Sequence, residues 1–391
     1  MSSGRAEGLF PLFGAIRSPT WRGIDDGPRQ SPGVVLERLK LYCFRLYEEL
    51  AFEPQPGLNL LVGGNGAGKT ALLEASHLLS AARSFRAGRE QELVLWGQAA
   101  CRVEGQFRTD KGRGRNLSLS WTRQDGEWSK SATFQGDRVA RLSDFLGCVP
   151  CSLFTPEDLD LVAGSPTVRR RYLDLQLSKT SPAHLLDLAQ LKKVLSSRNS
   201  LLRQGRPPRE LAPWETLLFE LSLRIGERRE HLVAELDGRC REYHQALTGD
   251  EAGAISLRYR RCWPTDREEF RQRLNEVYEK ERLQGRTLLS PQKDELEIQN
   301  QGRSLRLYGS QGQQRTLALC LRLAEAANLS ELQGEGAILL LDDVFSELDL
   351  ERRERLLNLL PSFAQVLVTS ATPVDCSGTV HQVKGGRVQT G

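Results

Sequence analysis

This 391-residue chain has no apolar run approaching the length of a membrane span, so nothing in it predicts a transmembrane helix. It also lacks the pattern of a secretory signal. Eight cysteines are scattered along it, but only Cys148 and Cys151 form a C-x-x-C pair, with no second pair and no nearby histidine. That excludes a zinc ribbon, and the missing strand–helix context argues against a thioredoxin-like pair. The cysteines read as reduced structural residues of a cytoplasmic protein, with Cys320 in the core. No internal repeat and no sustained heptad pattern occurs, which excludes a long coiled coil. The net charge is only +4, too small to argue for nucleic-acid binding by itself.

What is present starts with Gly63-Gly64-Asn65-Gly66-Ala67-Gly68-Lys69-Thr70, which fits the phosphate-binding loop G-x-x-x-x-G-K-[ST]. The apolar run Leu58–Val62 before it reads as a buried strand, and Lys69 to Ala82 reads as a helix with Leu72, Ala75, Leu79 and Ala82 on one face. Strand, glycine-rich loop and helix N-terminus make an anion site, because the glycines let backbone N–H groups approach phosphates and the helix dipole favours negative charge. Lys69 would reach the β- and γ-phosphates of ATP, and the Thr70 hydroxyl would hold Mg²⁺. The alternative, a chance glycine turn, does not explain the strand and helix that flank the loop.

A second acidic element lies near the C-terminus, where Ala337-Ile338-Leu339-Leu340-Leu341 runs into Asp342-Asp343. Asp342 would hold Mg²⁺ through water, and Asp343 stands where a general base or water-positioning group is wanted. Shortly before it, Ser310-Gln311-Gly312-Gln313-Gln314 opens a helix carrying Leu317, Leu321, Ala324 and Ala327. This resembles the signature loop of ABC-type ATPases, and Ser346-Glu347-Leu348-Asp349 resembles their D-loop. In that class the signature loop of one subunit caps the γ-phosphate held by another. The resemblance implies a head-to-tail homodimer closed by Ser310 and Gly312 over ATP. Taken alone, a Ser-x-Gly at a helix start is also a common cap.

Four further blocks narrow the resemblance. They are Leu39–Arg45, Ala82-Arg83-Ser84-Phe85-Arg86, Phe154–Leu159 followed by Arg169–Asp174, and Leu341–Asp349. In that order, from about Val34 onward, the chain resembles the RecF family of bacterial recombination and repair mediators. The resemblance implies a DNA-binding, ATP-dependent dimer with slow hydrolysis. It would act at single-strand gaps and stalled forks with RecO and RecR, help load the recombinase and support SOS induction. Three departures stand out: Gln292 replaces a family histidine, Cys43 replaces a family asparagine, and residues 1–33 have no counterpart. Those residues, rich in Gly, Pro, Ser and Arg, read as a flexible extension or a start codon set too far upstream; Glu7, Asp25 and Asp26 argue against a transit peptide.

The expected fold is α/β, an ABC-type ATPase head with a P-loop and mixed sheets, plus a helical second lobe and no long coiled coil. Residues 34–154 alternate in strand fashion, as in Cys101-Val103-Gly105-Phe107 and Leu117-Leu119-Trp121. Residues 286–388 carry the signature helix, the acidic strand, a strand at Gln365–Thr369 and a hairpin turning at Gly385-Gly386; they should join 34–154 in one lobe. Residues 155–285 form a helical arm, broken at Gly205-Arg206-Pro207-Pro208.

Two other functions stay open at this stage. One is the ATPase subunit of a transporter. It would show Leu-Ser-Gly-Gly-Gln, a catalytic Glu and a switch His, where this chain has Gly309-Ser310-Gln311-Gly312-Gln313, Asp343 and Thr369–Thr372. The other is a nucleotide-gated DNA scaffold without turnover, because Asp343 is one methylene shorter than Glu. DNA would meet either Lys111, Arg113 and Arg115 on a glycine-rich turn, or Arg83, Arg86 and Arg89 after the P-loop helix. Arg169-Arg170-Arg171 is ambiguous, because it can instead pair with Asp158 or Asp174 on its own surface.

Overall fold

The computed structural model describes residues 33–109, 112, 114–249 and 255–391. In chain order the strands are β1 (Val35–Phe44), β2 (Tyr47–Phe52), β3 (Gly57–Val62), β4 (Ala100–Arg108), β5 (Gly114–Gln124), β6 (Glu127–Phe134), β7 (Asp137–Arg138), β8 (Cys151–Phe154), β9 (Ile255–Arg260), β10 (Glu295–Asn300), β11 (Arg303–Ser304), β12 (Ile338–Leu341), β13 (Gln365–Ser370), β14 (Thr379–Lys384) and β15 (Arg387–Thr390). The helices are α1 (Lys69–Ala81), α2 (Leu159–Ala163), α3 (Pro166–Thr180), α4 (Pro182–Arg203), α5 (Pro208–Thr248), α6 (Arg267–Gln284), α7 (Leu305–Tyr308), α8 (Gln311–Gln333) and α9 (Leu350–Leu359).

Two six-stranded sheets frame the glycine-rich loop. One is antiparallel, in the order β2-β1-β4-β5-β6-β7, and the other runs β15-β14-β3-β13-β12-β8. The second is parallel except for the terminal β14–β15 hairpin. Its central strands are buried on both faces, which is why Ile338–Leu341 reads as an unbroken apolar run. Side chains leave a strand alternately, so Leu61, Leu340 and Leu367 face α1 while Leu60, Leu339 and Val366 face α8. Helix α1 is therefore clamped between the sheets, its Leu72, Ala75 and Leu79 sharing a core with Leu39, Val103 and Leu119. Gln365 ties the sheets together. Its amide donates to the Leu36 and Gln55 carbonyls (3.0 Å each) and accepts from Leu36 N (2.8 Å).

Helix α8 has no solvent-facing stripe over its middle: Leu317 to Leu321 are all fully buried. The sequence pattern suggested one apolar face; the parallel sheet covers one side of the helix and the helical segment the other. Helix α5, 41 residues long and so about 60 Å, reaches two cores. Its Leu232, Leu236 and Cys240 pack with the α8 side of the head, whereas Leu218, Leu221 and Ile225 pack with α4 and α6. The region near residue 285 is bridged by a three-stranded sheet in which β9 pairs with β10. Gly33 is already part of the fold, forming a bridge with Gly336; the rest of the expected N-terminal extension lies outside the described residues.

The arginine triplet does not pair as its helical spacing suggested. Arg169 forks onto Glu295 (2.7 and 3.1 Å) and Arg170 donates to the Asp294 carbonyl (2.8 Å). Asp158 is taken by Arg322 and Asp174 by Arg229 and His184. Buried partners from distant segments outcompete the solvated pairing along one helix.

Candidate nucleotide site

Strand β3 delivers the loop and α1 carries it away. Gly66 (φ 78°) and Gly68 (φ 113°) both occupy left-handed backbone, which only glycine adopts without strain. At Gly68 the reason is also spatial. A Cβ there would lie 2.4 Å from the Tyr47 hydroxyl, which is buried and donates to the Gly68 carbonyl (3.1 Å). A Cβ at Gly63 would lie 2.2 Å from the Val383 carbonyl, so β14 closes the other side of the loop.

Lys69 folds its ammonium back over the loop, donating to the carbonyls of Gly63 (2.6 Å) and Gly64 (3.0 Å). Burial lowers its pKa, and the charges of Asp343 and Asp342 pull it back up. The Thr70 hydroxyl donates to Asp342 Oδ1 (3.0 Å), so the loop and the acidic strand meet as their motifs require. Thr369, at the end of β13, was not foreseen. Its hydroxyl donates to the same Asp342 oxygen (2.7 Å) and accepts from the backbone N–H of Asp343 (2.8 Å). One buried hydroxyl thus orients both acids. Asp342 has its pKa raised by burial, an effect opposed by the hydrogen bonds from Thr369 and Thr70. Asp343 sits in left-handed backbone (φ 50°), and Ser346 Oγ donates to its Oδ2 (2.9 Å).

Lys69, Thr70, Asp342, Asp343 and Thr369 line one cavity of about 650 Å³, together with Arg86 and Trp96. Its donor set suits Mg²⁺: a hydroxyl, adjacent carboxylates and room for phosphate oxygens. No cluster of three His, Cys, Asp or Glu side chains suited to a metal occurs among the described residues; water and phosphate oxygens would fill the other positions around the ion.

The signature residues lie elsewhere. Ser310 caps α8 in a reciprocal capping box with Gln313 (2.9 and 3.3 Å). Ser310 and Gly312 are exposed, and neither lines the cavity of its own P-loop. Gln292 is exposed and also outside that cavity. Cys43 stands in left-handed backbone (φ 48°), a conformation that asparagine tolerates better.

The basic candidates separate. Arg86 turns into the nucleotide cavity, where its charge acts on Asp342. Arg83 stands instead at a neighbouring cavity with Arg171. Arg89 is exposed. Arg115 is already committed, donating to the Cys148 carbonyl (2.8 Å) and bridging to Glu335 (2.8 Å). Lys111 and Arg113 lie outside the described residues.

Sequence reasoning also missed Arg45, which forks onto the fully buried Glu74 of α1 (2.7 and 2.6 Å) and donates to the Glu92 carbonyl (2.8 Å). Its signal was present in the Phe44-Arg45 block, but its partner could not be read from it.

The sequence pattern of the RecF/RecN/SMC N-terminal domain matches residues 35–385. The chain is 39% identical over 346 residues to the DNA replication and repair protein RecF of Heliobacterium modesticaldum, covering 86% of this chain and 92% of that one. It is 37% identical over 358 residues to the RecF of Halalkalibacterium halodurans, covering 89% and 94%. Among solved structures, the recombination mediator protein RecF with ATP, described as part of the RecFOR pathway, superposes with a TM-score of 0.82 at 29% identity, covering 92% of this chain and 98% of the other. The Smc head domain of Pyrococcus furiosus bound to the C-terminal domain of ScpA gives 0.53 at 16% identity, covering 91% and 96%, a likeness of fold alone.

Proposed function

Because the chain belongs to the RecF family of DNA replication and repair proteins, we propose that it is an ATP-gated DNA-binding dimer of recombinational repair. The observation that carries this reading is the division of the nucleotide site. The P-loop, Asp342, Asp343 and Thr369 line one cavity, while Ser310 and Gly312 of the same chain are exposed and outside it. A second copy, presented head to tail, supplies the missing cap. The N-terminus of α8 then brings its dipole and free N–H groups to the γ-phosphate.

The residues of this chain have distinct tasks. ATP displaces the Lys69 ammonium from the Gly63 and Gly64 carbonyls and receives its charge on the β- and γ-phosphates. Mg²⁺, when bound by Thr70 and Asp342, neutralises charge on the phosphate oxygens. Thr369 holds Asp342 and the Asp343 backbone in register. Asp343 orients the attacking water and accepts its proton. Its carboxylate is also engaged by Ser346, which suits a slow switch better than rapid turnover. DNA is gripped by the dimer through phosphate contacts, for which Lys111, Arg113 and Arg89 are the candidates. In the cell this dimer works at gapped DNA in the nucleoid with RecO and RecR, helping the recombinase to load and supporting SOS induction. No described helix is long and apolar enough to cross a membrane, and family membership disposes of the transporter reading.

Sedimentation and DNA binding, each with ATP or ADP, test the proposal. ATP with Mg²⁺ should give a dimer with raised DNA affinity, and ADP a monomer. Ser310→Arg should remain monomeric with ATP bound. A wild-type protein that stays monomeric at saturating ATP refutes the gate.

A further inference from the structure

Trp96 is 97% exposed, the most exposed of the large apolar side chains among the described residues. The backbone just before it is nevertheless anchored. Leu95 N donates to the Cys43 carbonyl (2.8 Å), Arg45 N donates to the Leu93 carbonyl (2.7 Å), and Phe44 bridges with Val94. The turn that receives these bonds is tied to the P-loop helix by the Arg45–Glu74 fork. A large aromatic surface is thus left in water directly after a segment tied to the P-loop helix. Trp96 also lines the same cavity as Lys69 and Thr70.

That cavity has two unlike ends. Asp342, Asp343 and Thr369, from the parallel sheet, form the polar end where the metal and γ-phosphate belong. Leu46, Val94, Leu95 and Trp96, on and beside the β1–β2 turn of the antiparallel sheet, make the other end largely apolar, with Arg45 and Glu92 beside them. A nucleotide is polar at one end and flat and aromatic at the other. With its phosphates on the loop, the base is directed toward the apolar end.

We infer that Trp96 is the platform on which the nucleotide base stacks. The inference rests on the reading of the loop as a nucleotide site and adds the residue that senses the base. Stacking uses the face common to every base, so Trp96 contributes affinity for nucleotide over bare polyphosphate without choosing adenine over guanine.

The test uses the full chain and diphosphates, because ADP keeps dimer closure out of the measurement. Calorimetric titrations with ADP, GDP and pyrophosphate, all with Mg²⁺, are compared for the parent protein, Trp96→Ala and Trp96→Phe. Loss of one base–aromatic stack is expected to weaken ADP and GDP alike by roughly 5- to 150-fold, leave pyrophosphate unchanged, and be largely restored by Phe. ADP should also quench tryptophan emission in the parent and not in Trp96→Phe. ADP affinity within twofold of the parent in Trp96→Ala overturns the inference, as does an equal loss for pyrophosphate, which would mark a damaged loop. Unchanged ADP affinity with loss of the ATP-dependent dimer would make Trp96 a subunit contact and overturn it too. A parent protein that binds neither ADP nor ATP refutes the nucleotide site itself, an outcome separate from the others.

Discussion

Replacing Thr369 with valine removes one hydroxyl and almost no volume, and it isolates the link between the two acids. Two hydrogen bonds disappear: the donation to Asp342 at 2.7 Å and the acceptance from Asp343 N at 2.8 Å. A hydrogen bond to a charged group contributes about 1.5–3 kcal/mol, and a stranded buried donor costs about 1–3 kcal/mol. The low end of that sum applies. The Asp343 bond is only partly buried, and Asp342 keeps its bond from Thr70. Thr369→Val should therefore lose about 2–3 kcal/mol of stability, measured by urea unfolding without nucleotide. Asp342 is the metal ligand in this reading, and loosening such a ligand's support typically costs about 10–100-fold in metal affinity or activity. The Mg²⁺ concentration supporting half-maximal ATPase should rise by that factor. Thr369→Ser keeps the hydroxyl and should stay near the parent in both assays. If Thr369→Val unfolds at the parent's urea concentration and needs no more Mg²⁺, the assignment of Thr369 as the support of both acids is refuted.

Asp343→Asn should keep ATP binding and ATP-dependent dimerisation but hydrolyse more slowly in single-turnover assays, because an amide cannot take the proton. Asp342→Asn should lose Mg²⁺-dependent activity yet gain stability without nucleotide at neutral pH. Burial raises the Asp342 pKa in the folded state, so the folded form binds more protons than the unfolded one and parent stability falls as pH rises past the ordinary carboxylate range. The advantage of Asn should vanish when urea unfolding is repeated below that range. Charge reversal at Lys111 and Arg113 should flatten the salt dependence of DNA binding by roughly one unit of log–log slope per lost phosphate contact. Arg115→Glu should instead lower thermal stability, because Arg115 bridges to the mostly buried Glu335; an unchanged salt slope in the Lys111/Arg113 double variant would move the DNA surface elsewhere.

The parts of the site that were legible in the sequence are those written in one short stretch. The P-loop needs glycines, a lysine and a threonine at fixed spacing, since a single turn of backbone wraps the phosphates. The acidic strand is legible because a parallel strand buried on both faces leaves a continuous apolar run ending at the acid that meets Thr70. Thr369 was not legible: a threonine at a strand end becomes an orienting group only when β13 lies beside β12. Arg115 looked like a free cation because its partner Glu335 is 220 positions away. Arg86 was grouped with DNA contacts because local spacing does not tell which way a loop after α1 turns. The fold class followed from the motifs and the resemblance they carry, with strand and helix periodicity dividing the chain, but the packing of α5 into two cores depends on contacts no local pattern encodes.

The pairing of β3 with β13 and β14 has a consequence for how the chain comes into being. The P-loop strand forms no ladder with the N-terminal strands; its hydrogen-bonded neighbours are residues 365–370 and 379–382. During translation at about 5–20 residues per second, the strand emerges and then waits through some 300 further positions, roughly 15–60 seconds, before a partner exists. In that interval Leu60, Leu61 and Val62 present an open edge prone to mispairing. The neighbouring antiparallel sheet, complete by Arg138, can form first and shelter one side of α1. The sheet that carries the loop thus depends on strands made long after it. A ribosome that stalls before Gln365 yields chains that carry the loop sequence but neither of the strands that pair with β3.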